Sequence, residues 1–165
     1  MPPSAPECFQ GGSLRRRTVN TDPLILAPEN YAPALDVIGV KVTVLAENDP
    51  AHGYGITLQR GEEGAGPPPH SHAWDESFFV LEGKVECQVG DRTAIGLPGT
   101  LVHVPAGTLH AFRFGAGGGR MLEITGPGSR AAQMFASVAK QVSPGTPDVP
   151  RVVGILREHG VNVAI

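Results

Sequence analysis

Residues 67–83 read PPPHSHAWDESFFVLEG: two histidines and a glutamate within seven positions, leading into an apolar run that a glycine closes. The three prolines favour extended backbone, because proline and the residue before it avoid the helical region. In an extended chain alternate side chains share a face, so His70 and His72 point the same way. In the strand that follows, an inward Glu76 carries Phe78 and Val80 inward with it, while Asp75, Ser77 and Phe79 face outward. His70, His72 and Glu76 can therefore converge on one interior point.

A fourth group comes from residues 99–114, GTLVHVPAGTLHAFRF. A short strand ends at Pro105, PAG makes a turn, and His110 begins the returning strand with Phe112 and Phe114 on its own face. His110 is then a polar side chain in an apolar lining. A carboxylate buried there without a partner costs several kcal/mol, of the order of the desolvation penalty for one ion. A divalent cation bound by all four groups removes that cost. Apart from this ligand set, the interior face inferred from strand parity carries no acid or base.

Outward from these stretches, short apolar segments alternate with turn signals. Strands are expected at Leu24–Ala27, Asp36–Leu45, Gly55–Gln59, Ser77–Leu81, Val85–Val89, Leu101–Val104, Ala111–Phe114 and Met121–Ile124. ENDPAHG, GEEGAGPPP, VGDR and GAGGG read as turns or loops. The 22 glycines and 16 prolines punctuate apolar runs, as in a turn-rich all-β protein. The tail changes period: Ser129 is a candidate N-cap for a helix with apolar Ala131, Phe135, Val138 and Ala139. Asp148 caps a second helix with apolar Val149, Val152, Val153 and Leu156, which Gly160 ends. Residues 1–22 lack apolar periodicity and read as a flexible leader. Residues 23–165 read as one domain, its β body running to about residue 126 and its helical tail over 129–160.

Composition narrows the partners. A net charge of −3 offers no basic surface to nucleic acid or anionic lipid. No stretch of 18 apolar residues is present to span a membrane, and the arginines at 15–17 lack the apolar region of an export signal. A cytoplasmic location is the expectation. Two cysteines, Cys8 and Cys87, make no disulfide framework.

The spacing G64-x5-H70-x-H72-x3-E76-x6-G83 resembles the first motif of the cupins, and G99-x5-P105-x-G107-x2-H110 resembles the second. Fifteen residues lie between the two, a spacing similar to that of small microbial cupins. One position departs: where the second motif usually ends in Asn, this chain has Phe114, a place that is not a metal ligand in the family. Weaker similarity to quercetin-dioxygenase-like single-domain cupins runs from about Asp36 into the tail. The resemblance implies an all-β jelly-roll barrel with short C-terminal helices, commonly a homodimer. It also implies one metal ion held by His70, His72, Glu76 and His110. Nitrogen-rich ligation favours Fe, Mn, Ni, Co, Cu or Zn over Ca or Mg, and the sequence does not choose among the six.

Tyr54, Trp74, Phe78, Val80, Cys87, Phe112 and Phe114 are candidate substrate contacts, with core packing the simpler account of most of them. His103 is a candidate pocket residue, whereas His52 and His159 are expected to be solvated and Arg113 and Arg120 to lie on the surface. In quercetinase-like relatives the ligating glutamate also takes the substrate's hydroxyl proton, so the resemblance makes Glu76 both ligand and catalytic base. Three functions stay open. The first is a dioxygenase-type oxidoreductase using O2 on a flat, apolar, enolic or phenolic molecule. The second is a non-redox cyclase or isomerase, and the third a small-molecule sensor without turnover.

Overall fold

Two long strands, β5 (Glu76–Val89) and β8 (His110–Thr125), organise the sheet, and in this computed structural model they pair along almost their whole length. The structure describes residues 23–48, 53–143, 145 and 147–164. The expected flexible leader, Cys8 and His52 lie outside them. β1 (Leu35–Val37), β2 (Val40–Ala46) and β3 (Gly55–Gly61) form an antiparallel run that joins β8. β4 (His70–His72) also pairs with β8, while β6 (Arg92–Gly96) and β7 (Leu101–Val104) both pair with β5. The nine strands among the described residues make one continuous antiparallel sheet that curls into a half-barrel.

Each expected pair of short strands around a glycine cluster is in fact one long strand. Ser77–Leu81 and Val85–Val89 merge into β5 across register shifts at Val80/Glu82 and Gly83/Val85. Gly83 makes this possible: its φ is +72°, and a Cβ there would sit 2.1 Å from the Gly118 carbonyl oxygen. Ala111–Phe114 and Met121–Ile124 likewise merge into β8, with GAGGG inside the strand rather than in a loop. Leu24–Ala27 forms no strand. It is flanked by prolines, and Leu24 and Ile25 are exposed. Asp36–Leu45, expected as one strand, is instead the β1–β2 hairpin, turned at Ile38–Gly39. Two further strands were not anticipated: β6, which follows the tight turn at Gly90–Asp91, and β9 (Val161–Val163), too short for periodicity to register.

The inward faces alternate along each strand, but in both long strands the inward parity switches from even to odd positions across the glycines. Along β5, Glu76, Phe78, Val80, Val85 and Cys87 are buried, and along β8 His110, Phe112, Phe114, Met121, Glu123 and Thr125 are. Phe112 makes edge contacts with Phe78 and Phe114, at centroid distances of 5.3 and 5.6 Å. The open side of the curl is covered by helices α1 (Ala131–Gln141) and α2 (Val149–Glu158). Asp148 caps α2 through the Arg151 N–H, as expected. The N-cap of α1 is Arg130, one residue later than expected, and the Ser129 hydroxyl accepts from the Ala131 N–H. α1 buries Ala131, Met134, Phe135 and Val138, while α2 buries Val152, Val153 and Ile155 and leaves Val149 exposed.

Candidate metal centre and cavity

β4 is a three-residue strand held on both sides. His70 pairs with His110 on β8, and His70 and His72 pair with Val163 and Val161 on β9. The PAG turn is tied to the same place. The Gly107 N–H donates to the His72 carbonyl (2.7 Å), and the Ala106 N–H donates to the Asp75 carboxylate (2.8 Å). These bonds bring His110 opposite His70, so the two stretches of sequence meet at one point. One donor atom from each of His70, His72, Glu76 and His110 lies within 4.8 Å of every other.

The backbone sets the tautomer of each imidazole. Nδ1 of His70, His72 and His110 lies 3.0, 2.9 and 2.8 Å from the carbonyl oxygens of Pro68, Trp74 and Thr108. A carbonyl oxygen can only accept, so each Nδ1 carries the hydrogen and each Nε2 presents a lone pair inward. Nε2 of His72 and of His110 approach Glu76 Oε2 to 3.4 and 3.0 Å. These approaches lack hydrogen-bond geometry, and all three atoms are buried without a hydrogen-bond partner. Lone pairs and a carboxylate facing one another in a buried site leave room for a cation, and the donor set suits a divalent transition ion. Trp74 steadies the arrangement further by stacking on His72 at 4.2 Å and 4°.

Charge and burial polarise the site. Burial, then the charge expected on His110, lowers the pKa of His70 to about 4, keeping it neutral as a ligand must be. Burial alone would raise the Glu76 pKa, but the contacts with His110 and His72 outweigh it and hold the carboxyl below its usual range. Burial would likewise lower the His110 pKa, and Glu76 reverses the sign and raises it.

Sequence parity missed one group, and here the expectation of no second acid or base is corrected. Thr57 on β3, Glu123 on β8 and Phe78 on β5 stand side by side in register, and Glu76 pairs with Thr125, two residues beyond Glu123. Glu76 and Glu123 are therefore diagonal neighbours on the inner face, within reach of long side chains. Glu123 is buried and accepts from the Thr57 hydroxyl at 2.6 Å, with Gln59 next on the same face. Burial first, then the adjacent Glu76 charge, raises the Glu123 pKa well above the usual carboxylate value. The inward side of β8 passes from even positions (His110, Phe112, Phe114) to odd ones (Met121, Glu123, Thr125) across its glycines, so parity carried from His110 turns Glu123 outward.

His70, His72, Glu76 and Glu123 lie on the wall of a cavity of about 350 Å³ whose other walls are mainly Val37, Val40, Val42, Phe78, Phe112 and the inner sides of α1 and α2. Among the described residues the lining includes His70, His72, Glu76, Gln59 and Glu123 but no lysine or arginine. Of the candidate substrate contacts, Trp74, Phe78 and Phe112 are on this wall. Val80 and Phe114 are fully buried in the core behind it. Tyr54 is 47% exposed at the start of β3 and away from the cavity. Cys87 lies by a separate open groove beneath Pro67–Pro69, with its thiol pKa pushed up to about 11 by burial. His103 sits on the outer face, hydrogen-bonded to Ser77 at 3.0 Å. Arg113 is exposed and Arg120 pairs with Glu82 at 2.6 Å. His159 is buried, not solvated: it ties α2 to α1 by donating to the Ile155 carbonyl and accepting from Ser137.

Comparison with known proteins agrees with this geometry. Residues 57–124 match the family described as Cupin domain. That match covers less than half of the chain, and the fold in which it lies is the cupin fold. An RmlC-like cupin from Shewanella frigidimarina superposes with a TM-score of 0.59 at 20% identity, over 68% of this chain and 96% of that one. The polyketide cyclase RemF from Streptomyces resistomycificus superposes with a TM-score of 0.52 at 22% identity, over 64% of this chain and 80% of that one. At these identities the likeness is one of fold. A Streptomyces coelicolor protein of uncharacterised function is 38% identical over 56 residues, 34% of this chain. The match spans about half (53%) of that relative's length. Among the described residues no helix is long and apolar enough to cross a membrane.

Proposed function

We propose that this protein is a metal-dependent enzyme of dioxygenase type acting on a flat, neutral, apolar molecule with an enolic or phenolic oxygen. One observation carries the reading: of four converging donors, His70, His72 and Glu76 line an apolar cavity, His110 is buried beside them, and no described residue of that lining offers a cationic side chain to an anionic substrate. A transition ion bound there supplies a Lewis-acidic centre and, if redox-active, a means of using O2.

The chain's own residues do the rest. His70, His72 and His110, fixed through Nδ1, offer neutral Nε2 atoms as ligands. Glu76, held ionised, is the fourth ligand and the acceptor for the substrate's hydroxyl proton. Glu123, held protonated beside it, is the partner acid, so the two carboxyls carry one proton between them. Phe78, Phe112 and α1 exclude water and bind the flat face of the substrate.

Glu123 also favours a second reading, a non-redox cyclase or isomerase, since an acid–base pair moves protons without O2. The polyketide cyclase of the same fold is in keeping with that reading. An oxygen electrode with the metal-loaded protein and a panel of flavonols, naphthols and 1,3-diketones decides. Stoichiometric O2 uptake supports the dioxygenase. Product without uptake supports the cyclase or isomerase. A compound that binds and returns unchanged overturns both in favour of a binding module.

The same proposal includes a homodimer formed through the outer sheet face. Leu58, Leu122, Phe79 and Leu101 stand in one cross-strand row there, with Phe79 36% and Leu101 62% exposed. The row carries no charge, so a second copy meets it without like-charge repulsion.

A further inference from the structure

The β1–β2 hairpin is closed by two residues, Ile38 and Gly39, between the paired Val37 and Val40. Their φ angles are +53° and +85°, so both lie in the left-handed region, as in a type I′ turn. Asn-Gly suits that turn, whereas a β-branched residue at positive φ is a steric outlier. Ile38 is the one non-glycine residue among those described that adopts it.

The turn does not use the isoleucine side chain. Its own bonds come from Asp36, which accepts from the Gly39 N–H at 3.1 Å and pairs with Lys41 at 2.5 Å. Ile38 is instead 44% exposed and lines the cavity. Pro147 and Val149, at the start of α2, line it too, with Val149 60% exposed. The cavity thus has a buried polar end at Glu76, Glu123 and the histidines and a half-exposed apolar rim. Strain of this kind persists where something other than local preference holds the residue.

We propose that Ile38, with Pro147 and Val149, forms the subsite for the apolar end of an elongated, uncharged ligand whose oxygen-bearing end faces His72 and Glu76. This rests on the cavity reading above and on no particular reaction. With no lysine or arginine among the described residues of the lining, the far end of that ligand carries no acidic group.

The test uses the full chain, a neutral apolar probe, N-phenyl-1-naphthylamine, followed by fluorescence, and a thermal melt. Ile38→Asn places a turn-compatible polar residue at the rim. Tm is expected to rise by about 2–4 °C as the turn relaxes. Probe affinity is expected to fall roughly fivefold, the effect of losing partial burial of one aliphatic side chain. Ile38→Gly, a second variant that relieves the turn, should show both changes, and Ile38→Val neither. A higher Tm with unchanged probe affinity overturns the subsite, as does an unchanged Tm or a wild-type chain that does not bind the probe. Elemental analysis of the same samples keeps the outcomes apart: failure here with one metal retained per chain leaves the metal centre standing.

Discussion

His110 shows how one contact decides a residue's behaviour. Burial alone would keep its ring neutral, but Glu76 Oε2 at 3.0 Å raises its pKa above the ordinary 6.5 in the metal-free chain. The stability that this proton contributes is complete below pH 6.5 and is lost as pH rises through the raised value. An incoming cation must displace the same proton, so metal affinity rises with pH across that window. Calorimetry in two buffers of different ionisation enthalpy should record proton release on metal binding near neutrality. His110→Ala should remove the metal, by elemental analysis, while the far-UV spectrum stays that of a folded β protein. Glu123→Gln keeps shape and hydrogen bonding but removes the acidic proton. Turnover of whichever panel compound reacts should fall about 100-fold with metal content unchanged, and equal rates would dismiss Glu123 from the chemistry. The four ligands were legible in the sequence because their spacing within each stretch is local. Glu123 was not, because its contact with Glu76 spans β5 and β8 and depends on their register.

At the level of elements, the long strands β5 and β8 depend on glycines that look like breaks. Gly83 allows the Gly118 backbone to approach where a side chain cannot fit. Gly83→Ala should destabilise the chain by about 3 kcal/mol or more, because it adds both a steric conflict and an unfavourable φ. Urea unfolding measures this, and a loss under 1 kcal/mol would show that the bulge can relax. Turn composition therefore misled the strand reading at 77–89 and 111–124. A glycine run marks a bend in a strand as readily as a turn between two, and only pairing with a neighbour separates the cases. Helix signals fared better. The Asp148 cap is a local hydrogen bond, whereas the exposure of Val149 reflects where α2 meets the cavity rim.

For the molecule as a whole, the sheet encloses a cavity on one side and leaves an apolar row on the other. If that row joins two copies, Leu101→Lys should give a monomer by light scattering at concentrations where the unaltered chain is a dimer. Its metal content should not change, since Leu101 is on the outer face of β7. A monomeric unaltered chain would dismiss the row as an interface. The helices belong to this scale as well. α1 and α2 close the half-barrel and turn an open sheet face into a cavity of about 350 Å³.

By itself the sequence determined the β architecture, the two helices and the identity of the four candidate ligands, because side-chain alternation, proline stiffness and capping act over a few residues. Tertiary structure alone decided that Tyr54 and Cys87 stand apart from the cavity while Ile38 and Val149 border it. It also set Glu123 beside Glu76 and placed β9 against β4 to hold the histidines. Each of these depends on which strands become neighbours and in what register, and that choice is made by burying the whole inner face at once.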